Sequence, residues 1–202
     1  QKKRSVGHCH ELYDCNWLLR NFQNKAVRKS SLFITPNIER AWILKCWTRT
    51  KAPFFIVPNY PSTDIIPESV PADNEAEGLA YLKFCEHGGD PACRKLLIYQ
   101  GLFSPDRCII ELIRAFNRVD DREVGLILMG EGPDKDYMGK LRRYIENNDR
   151  IVHLPRIPPP GHLQITRGCF GGIMLYAPTS LNNIFCAPNK LYEYSLFGLG
   201  II

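Results

Sequence analysis

Near the end of the chain, Ala187-Pro188-Asn189-Lys190-Leu191-Tyr192-Glu193-Tyr194 sets a proline, an amide, a lysine and a carboxylate at spacings that suit the start of a helix. The first N–H groups of a helix lack internal partners and carry partial positive charge, so such a start suits an anion, a phosphate above all. Pro188 fits the first turn because its missing N–H would go unused, and Gly198 reads as the stop. On spacing alone Glu193 is either a first-turn acid that favours the dipole or a ligand group. Two other turns carry similar chemistry: Gly101 through Arg107, and Gly130-Glu131-Gly132. Glycines there let backbone N–H groups approach a phosphate, and Arg107 offers a planar fork of donors. Each also has a plain reading, as a tight turn or a surface arginine. Gly130-x-Gly132 lacks the third glycine of the dinucleotide fingerprint, which counts against an NAD-binding dehydrogenase.

The elements that must position these turns alternate. Residues 6–11 look extended, and apolar runs predict strands over 31–35, 54–57, 96–99, 124–129, 151–154 and 172–176. Between them lie a helical run over 16–22, where Trp17, Leu18 and Phe22 share a face, and a helix opened by Pro36-Asn37 with Ile38, Ala41, Trp42 and Lys45 at helical spacing. Further helices are expected over 106–117, 135–146 and 162–166. Alternation of this kind predicts an α/β fold of two doubly wound parallel sheets, with ligands beyond the carboxyl ends of the strands. Prolines, acids and Gly88-Gly89 interrupt 61–94, which reads as a linker with one short helix near 76–85. The expected organisation is therefore 1–60, linker 61–94, and 95–202, with both domains incomplete. The absent initiator methionine and an end at Ile201-Ile202, where a buried strand is expected to begin, point to a piece of a longer protein.

No apolar run approaches the ~20 residues of a membrane span, and no signal-peptide core is present, so a cytoplasmic protein is expected. The net charge of +5 is concentrated at the front: Lys2, Lys3, Arg4, Arg20, Lys25, Arg28, Lys29, Arg40, Lys45, Arg49 and Lys51 face only Glu11, Asp14 and Glu39. Such a surface is either simply solvated or attracts anionic lipid headgroups at the inner face of a membrane. The basic residues are not interleaved with an aromatic platform, which excludes a recognisable nucleic-acid module. Eight cysteines include no C-x-x-C pair and read as free thiols. His8-Cys9-His10 with Cys15 is the one cluster that could hold a metal, and none is expected.

The wording of these segments resembles glycosyltransferase family 4, of the two-domain GT-B fold. The resemblance rests on Tyr99-Gln100-Gly101 to Arg107, Leu126-Ile127-Leu128-Met129-Gly130-Glu131-Gly132-Pro133, Pro155-Arg156-Ile157-Pro158, Ile173-Met174-Leu175-Tyr176 and above all the Pro188 to Tyr194 block. In the first third, His10-Glu11-Leu12-Tyr13-Asp14, Thr35-Pro36-Asn37 and Val57-Pro58-Asn59-Tyr60-Pro61 are similar to that family's segments. It implies retaining, metal-independent transfer of a sugar from a UDP- or GDP-linked donor to a glycan or lipid-linked acceptor in surface polysaccharide synthesis. No cofactor beyond the donor substrate is implied. Glu193 falls where the family holds the ribose hydroxyls, Asn189, Lys190 and Leu191 where it contacts the diphosphate with Arg107, and Gly101, Gly130 and Gly132 at its phosphate-facing turns. Arg156 and Ile157 would wall the base pocket, and His10 would lie across the cleft near the donor sugar. The first glutamate of the family's E-x7-E motif would fall at Phe185, leaving the amides of Asn182 or Asn183 to serve, and the arginine after the first-turn glycine is Leu102 here. A sugar-nucleotide epimerase of the same fold and a non-catalytic nucleotide-sugar-binding module remain open beside the transferase.

Overall fold

The computed structural model describes residues 5–60, 73–146 and 148–202. They fall into two compact units, Gln1–Tyr60 with Ala177–Pro188, and Pro61–Tyr176 with Asn189–Ile202. The segment 177–188 thus belongs with the front of the chain, although the sequence on both sides of it belongs to the second unit.

In the first unit, β1 (Val6–His8), β2 (Leu32–Thr35) and β3 (Phe54–Ile56) form a parallel sheet in that order. Asn16 caps α1 (Trp17–Lys29) by accepting from the Leu19 N–H, and Asn37 caps α2 (Ile38–Thr48) by accepting from the Arg40 N–H, each satisfying a donor that the helix leaves free. Cys9, Leu12, Val27, Phe33, Ala41 and Leu44 make the core, and Leu181 of the short helix α7 (Leu181–Ile184) packs against it. The expected inward face of α1 is reversed: Trp17, Leu18 and Phe22 are 69%, 55% and 62% exposed. The helix runs seven residues beyond Phe22, and its inward line is set by Val27 and by Gln23, whose amide donates to the Glu11 carbonyl. At 100° per residue Leu18 and Phe22 lie opposite that line. Ile38 and Trp42 likewise face outward, while Arg40 and Leu44 face in.

The second unit is a five-stranded parallel sheet ordered β6-β5-β4-β7-β8, from β4 (Lys95–Leu102), β5 (Val124–Glu131), β6 (Ile151–Leu154), β7 (Gly171–Gly172) and β8 (Gly200–Ile201). Alternate residues of each strand serve opposite faces. Leu96, Ile98, Ile127, Met129 and Val152 meet α3 (Asp73–Glu86), α6 (His162–Arg167) and α8 (Asn189–Leu196) on one side through Phe84, Ile165 and Tyr194. Leu97, Tyr99, Leu126, Leu128 and Ile151 meet α4 (Ile109–Phe116) and α5 (Lys135–Ile145) on the other. The sheet is therefore doubly wound, its strands buried on both faces as a run of apolar residues requires.

The short helix expected near 76–85 is present as Asp73–Glu86, its Ala80 and Phe84 in the core of the second unit, while 61–72 of the expected linker lies outside the described residues. Two expectations need revision. The strand expected over 172–176 is only Gly171–Gly172, although the Ile173 and Met174 N–H groups still donate to the Ile98 and Ile202 carbonyls. Ile201 and Ile202 are exposed rather than buried, and among the described strands β8 pairs with β7.

Candidate functional site

The glycines at the ends of β4 and β5 face each other in register, Gly101 opposite Gly130. Gly130 holds a φ of 152°, and a Cβ there would lie 1.9 Å from the Gly101 carbonyl oxygen. The need for glycine at this position comes from the neighbouring strand. Gly132 is constrained in the same way by the Phe103 carbonyl, 2.0 Å from where its Cβ would stand. Gly101 differs: its φ is 127° and the space beside it is open. Of the three glycines it is the one whose open side leaves room for a ligand.

Past Gly101 the chain makes a 3-10 turn over Pro105–Arg107. Arg107 lies over the Tyr176 ring at 4.2 Å and pairs with Asp106 at 3.3 Å. Lys190, in the first turn of α8, is buried to 8% exposure. Its ammonium stands 4.0 Å from the centroid of Tyr99 and 5.1 Å from that of Tyr176. Two cations from distant parts of the sequence thus converge on one aromatic ring, whose negative face favours both. Burial pushes the phenol of the other ring, Tyr99, well above its ordinary range, against the pull of Arg107, so Tyr99 stays neutral beside Lys190. Pro188 immediately precedes the first helical residue, and Gly198, with φ 68°, closes the C-terminal end.

Glu193 stands one turn beyond Lys190 and is 12% exposed. Its Oε2 accepts from the Gln100 amide, and its Oε1 lies 3.3 Å from His162 Nε2. The Thr166 hydroxyl donates to Gln100 Oε1, which turns the amide N–H groups of Gln100 toward the carboxylate. Gln100, His162, Thr166, Tyr99 and Tyr176 were not singled out in the sequence as site residues. The available signal was positional: Gln100 is a polar residue in a strand buried on both faces, and it needs a partner there. Elsewhere in this unit Asn189 and Arg156 are exposed, while Leu191 and Ile157 are half-buried.

In the first unit His10 is exposed and packs edge to face on His8 at 5.8 Å. Its carbonyl accepts from Arg40, a residue expected on a basic surface but buried to 3% exposure. Arg40 donates also to the Phe185 carbonyl at 2.8 Å and the Asn182 carbonyl at 3.0 Å, so one guanidinium ties 182–185 to the end of β1. Asn182 Oδ1 accepts from the Leu12 N–H, Asp14 from the Leu181 N–H. Asn183, buried in the short helix Leu181–Ile184, donates to the Ala177 carbonyl. Phe185 supplies its carbonyl to Arg40 and Asn37. None of the eight cysteines is joined in a disulfide, and burial pushes the thiols of Cys9 and Cys93 up, Cys93 to about 11. Among the described residues no three of His, Cys, Asp and Glu gather as a metal site would need.

No family model matches the chain, and no curated protein matches its sequence. Solved structures do. HepE of Anabaena in complex with UDP superposes with a TM-score of 0.75 at 14% identity, over 99% of this chain and 53% of that one. Sucrose-phosphate synthase of Thermosynechococcus elongatus gives 0.65 at 16% identity, over 97% and 49%. A trehalose-6-phosphate protein of E. coli, bound with UDP-2-fluoro glucose, gives 0.64 at 9% identity, over 99% and 53%. The chain spans about half the length of these proteins. Its two parallel-sheet units have the fold that these structures share, the GT-B fold.

Proposed function

We propose that the chain is part of a retaining, metal-independent glycosyltransferase of family 4. The donor is a UDP- or GDP-linked sugar, and the acceptor a glycan or lipid-linked glycan in surface polysaccharide synthesis. The observation that carries the reading is the convergence of Lys190 and Arg107 on Tyr176, with Lys190 one turn before Glu193 on the same helix. Two cations held over one ring make a locally positive surface that attracts an anion such as a diphosphate, with Arg107 also paired to Asp106. Breaking a glycosyl–phosphate bond sends negative charge onto the departing diphosphate, so fixed cations and the N–H groups of a helix start stabilise the transition state more than the ground state. In this reading Arg107, Lys190 and the backbone at Asn189 and Leu191 hold the diphosphate beyond Gly101. Glu193 holds the ribose, Arg156 and Ile157 border the base, and His10 is the group that the resemblance assigns to the donor sugar. The complexes of HepE with UDP and with UDP-glucose support a nucleotide-sugar as the partner.

The first unit suits attachment to the inner face of an anionic membrane. Along α1 the exposed Leu18, Phe22, Lys25 and Lys29 form one stripe, flanked by Trp17 and Leu19, and aromatic, aliphatic and basic groups together favour a charged lipid surface. No helix among the described residues is long and apolar enough to cross a membrane.

Titration calorimetry with UDP, GDP and their sugars tests the proposal. Binding should weaken by roughly 100-fold or more in Glu193→Ala, the loss of two hydrogen bonds to a charged group. Failure of this chain and of any longer form to take up either nucleotide would sink it. Release of nucleoside diphosphate only when acceptor is added separates a transferase from a binder.

A further inference from the structure

Glu193 is held from both sides before any ligand arrives. Gln100 comes from the end of β4, where it is 6% exposed, and donates its amide to Oε2. His162, the first residue of α6, presents Nε2 to Oε1 at 3.3 Å with only 14% of its side chain exposed. Gln100 is tied down in turn. Thr166 is fully buried, and its single hydroxyl hydrogen goes to Gln100 Oε1 when the Gln100 N–H groups point at the carboxylate.

The chemistry of the two donors fixes their states. A carboxylate only accepts, so Nε2 of His162 carries the hydrogen. Nδ1 is buried and meets no hydrogen-bond partner, so Nε2 is the ring nitrogen through which His162 acts on the carboxylate. Each carboxylate oxygen accepts one bond from the protein and keeps one lone pair. Two acceptor oxygens on one carboxylate match in number the two hydroxyls of a vicinal diol.

The geometry points to His162 and Gln100 as positioning residues that lock the Glu193 carboxylate into a two-point acceptor for the ribose diol of a nucleoside diphosphate. This rests on the nucleotide reading given above and adds to it the source of ribose selectivity. His162 touches no ligand in this role; it acts through Glu193. A carboxylate released from His162 rotates and loses the alignment of one lone pair, so the diol loses a bond while the diphosphate contacts are untouched.

Calorimetry of the chain with UDP and with 2′,3′-dideoxy-UDP reads this directly, because the second ligand keeps base and diphosphate but lacks the diol. The native chain should prefer UDP by about 100-fold or more, two hydrogen bonds to a charged group. His162→Phe, which keeps a ring of similar size without a donor, should lose about tenfold for UDP and leave dideoxy-UDP unchanged. His162→Gln, which restores a donor, should recover most of the preference. An unchanged preference in His162→Phe overturns the inference, as does an equal loss for both ligands, the mark of a merely structural residue. Nitrogen-15 NMR of the native chain adds a readout that needs neither variant nor ligand: an Nδ1–H tautomer at His162 overturns it as well. If the native chain binds both ligands equally, the assignment of Glu193 to ribose fails first, and if it binds neither, the nucleotide reading fails and takes this inference with it.

Discussion

Replacing Arg40 by methionine removes a buried guanidinium that holds three backbone carbonyls, those of His10, Asn182 and Phe185. Methionine keeps much of the apolar stem, so packing changes little and the lost donors dominate. A hydrogen bond to a charged group contributes about 1.5–3 kcal/mol, so three at the lower bound sum to roughly 4.5 kcal/mol. The freed carbonyls regain water once 177–188 lifts, which offsets about half and leaves about 2–3 kcal/mol against the closed loop. That corresponds to a loop-opening equilibrium raised roughly 30- to 150-fold. Native-state hydrogen exchange measures it at the Leu181 N–H, bonded to Asp14, and the Asn183 N–H, bonded to Ser180 Oγ. Both should exchange faster by that factor, while amides in β4 and β5 keep their protection. Arg40→Lys retains the charge but not the planar fork and should fall between. Protection at 181–183 within about threefold of the native chain would refute the reasoning, since the guanidinium would then contribute less than one bond.

Gly130→Ala should destabilise the second unit by at least about 3 kcal/mol, because a positive φ and a Cβ 1.9 Å from a carbonyl oxygen act together, whereas Gly101→Ala, strained in φ alone, should cost about 1–2 kcal/mol. Chemical denaturation of the two variants compares them, and equal losses would show that strand contact is not the constraint. On α1, the paired change Trp17→Ser and Phe22→Ser should lower sedimentation with vesicles containing phosphatidylserine by about tenfold or more, with no binding to neutral phosphatidylcholine vesicles in either protein. Unchanged sedimentation would remove the membrane-facing role of the helix.

The alternation of strand and helix was legible because strands buried on both faces read as continuous apolar runs, as in 96–99 and 124–129. The orientation of α1 was not. Apolar spacing identified a helix but assumed that apolar means inward, and here a glutamine that grips the 11–13 backbone outweighs Trp17 and Phe22 in setting the rotation. Arg40 failed in the same way. A charge count treats every arginine as surface, while the three carbonyls that draw this one inside come from residues that are up to 145 positions away. The division of the chain was hidden for a related reason: 177–188 reads as a loop of the last domain, and only long-range bonds such as Asn182 to Leu12 place it with the first unit.

The block around Pro188 was readable because several constraints fall on adjacent residues of one short helix. Tyr194 is fully buried against Gly172, where a Cβ would lie 2.3 Å from the ring, and its hydroxyl reaches the Ile98 and Ile173 carbonyls. That contact fixes the rotation of α8. Lys190, one turn earlier on the same face, is then forced inward onto Tyr99 and Tyr176, and Glu193 is aimed sideways at Gln100 and His162. Shifting the register by one residue would carry the lysine, the carboxylate and the tyrosine out of place together. The wording of the helix is therefore narrow, while its supports, scattered over β4 and α6, carry no spacing that a sequence could display.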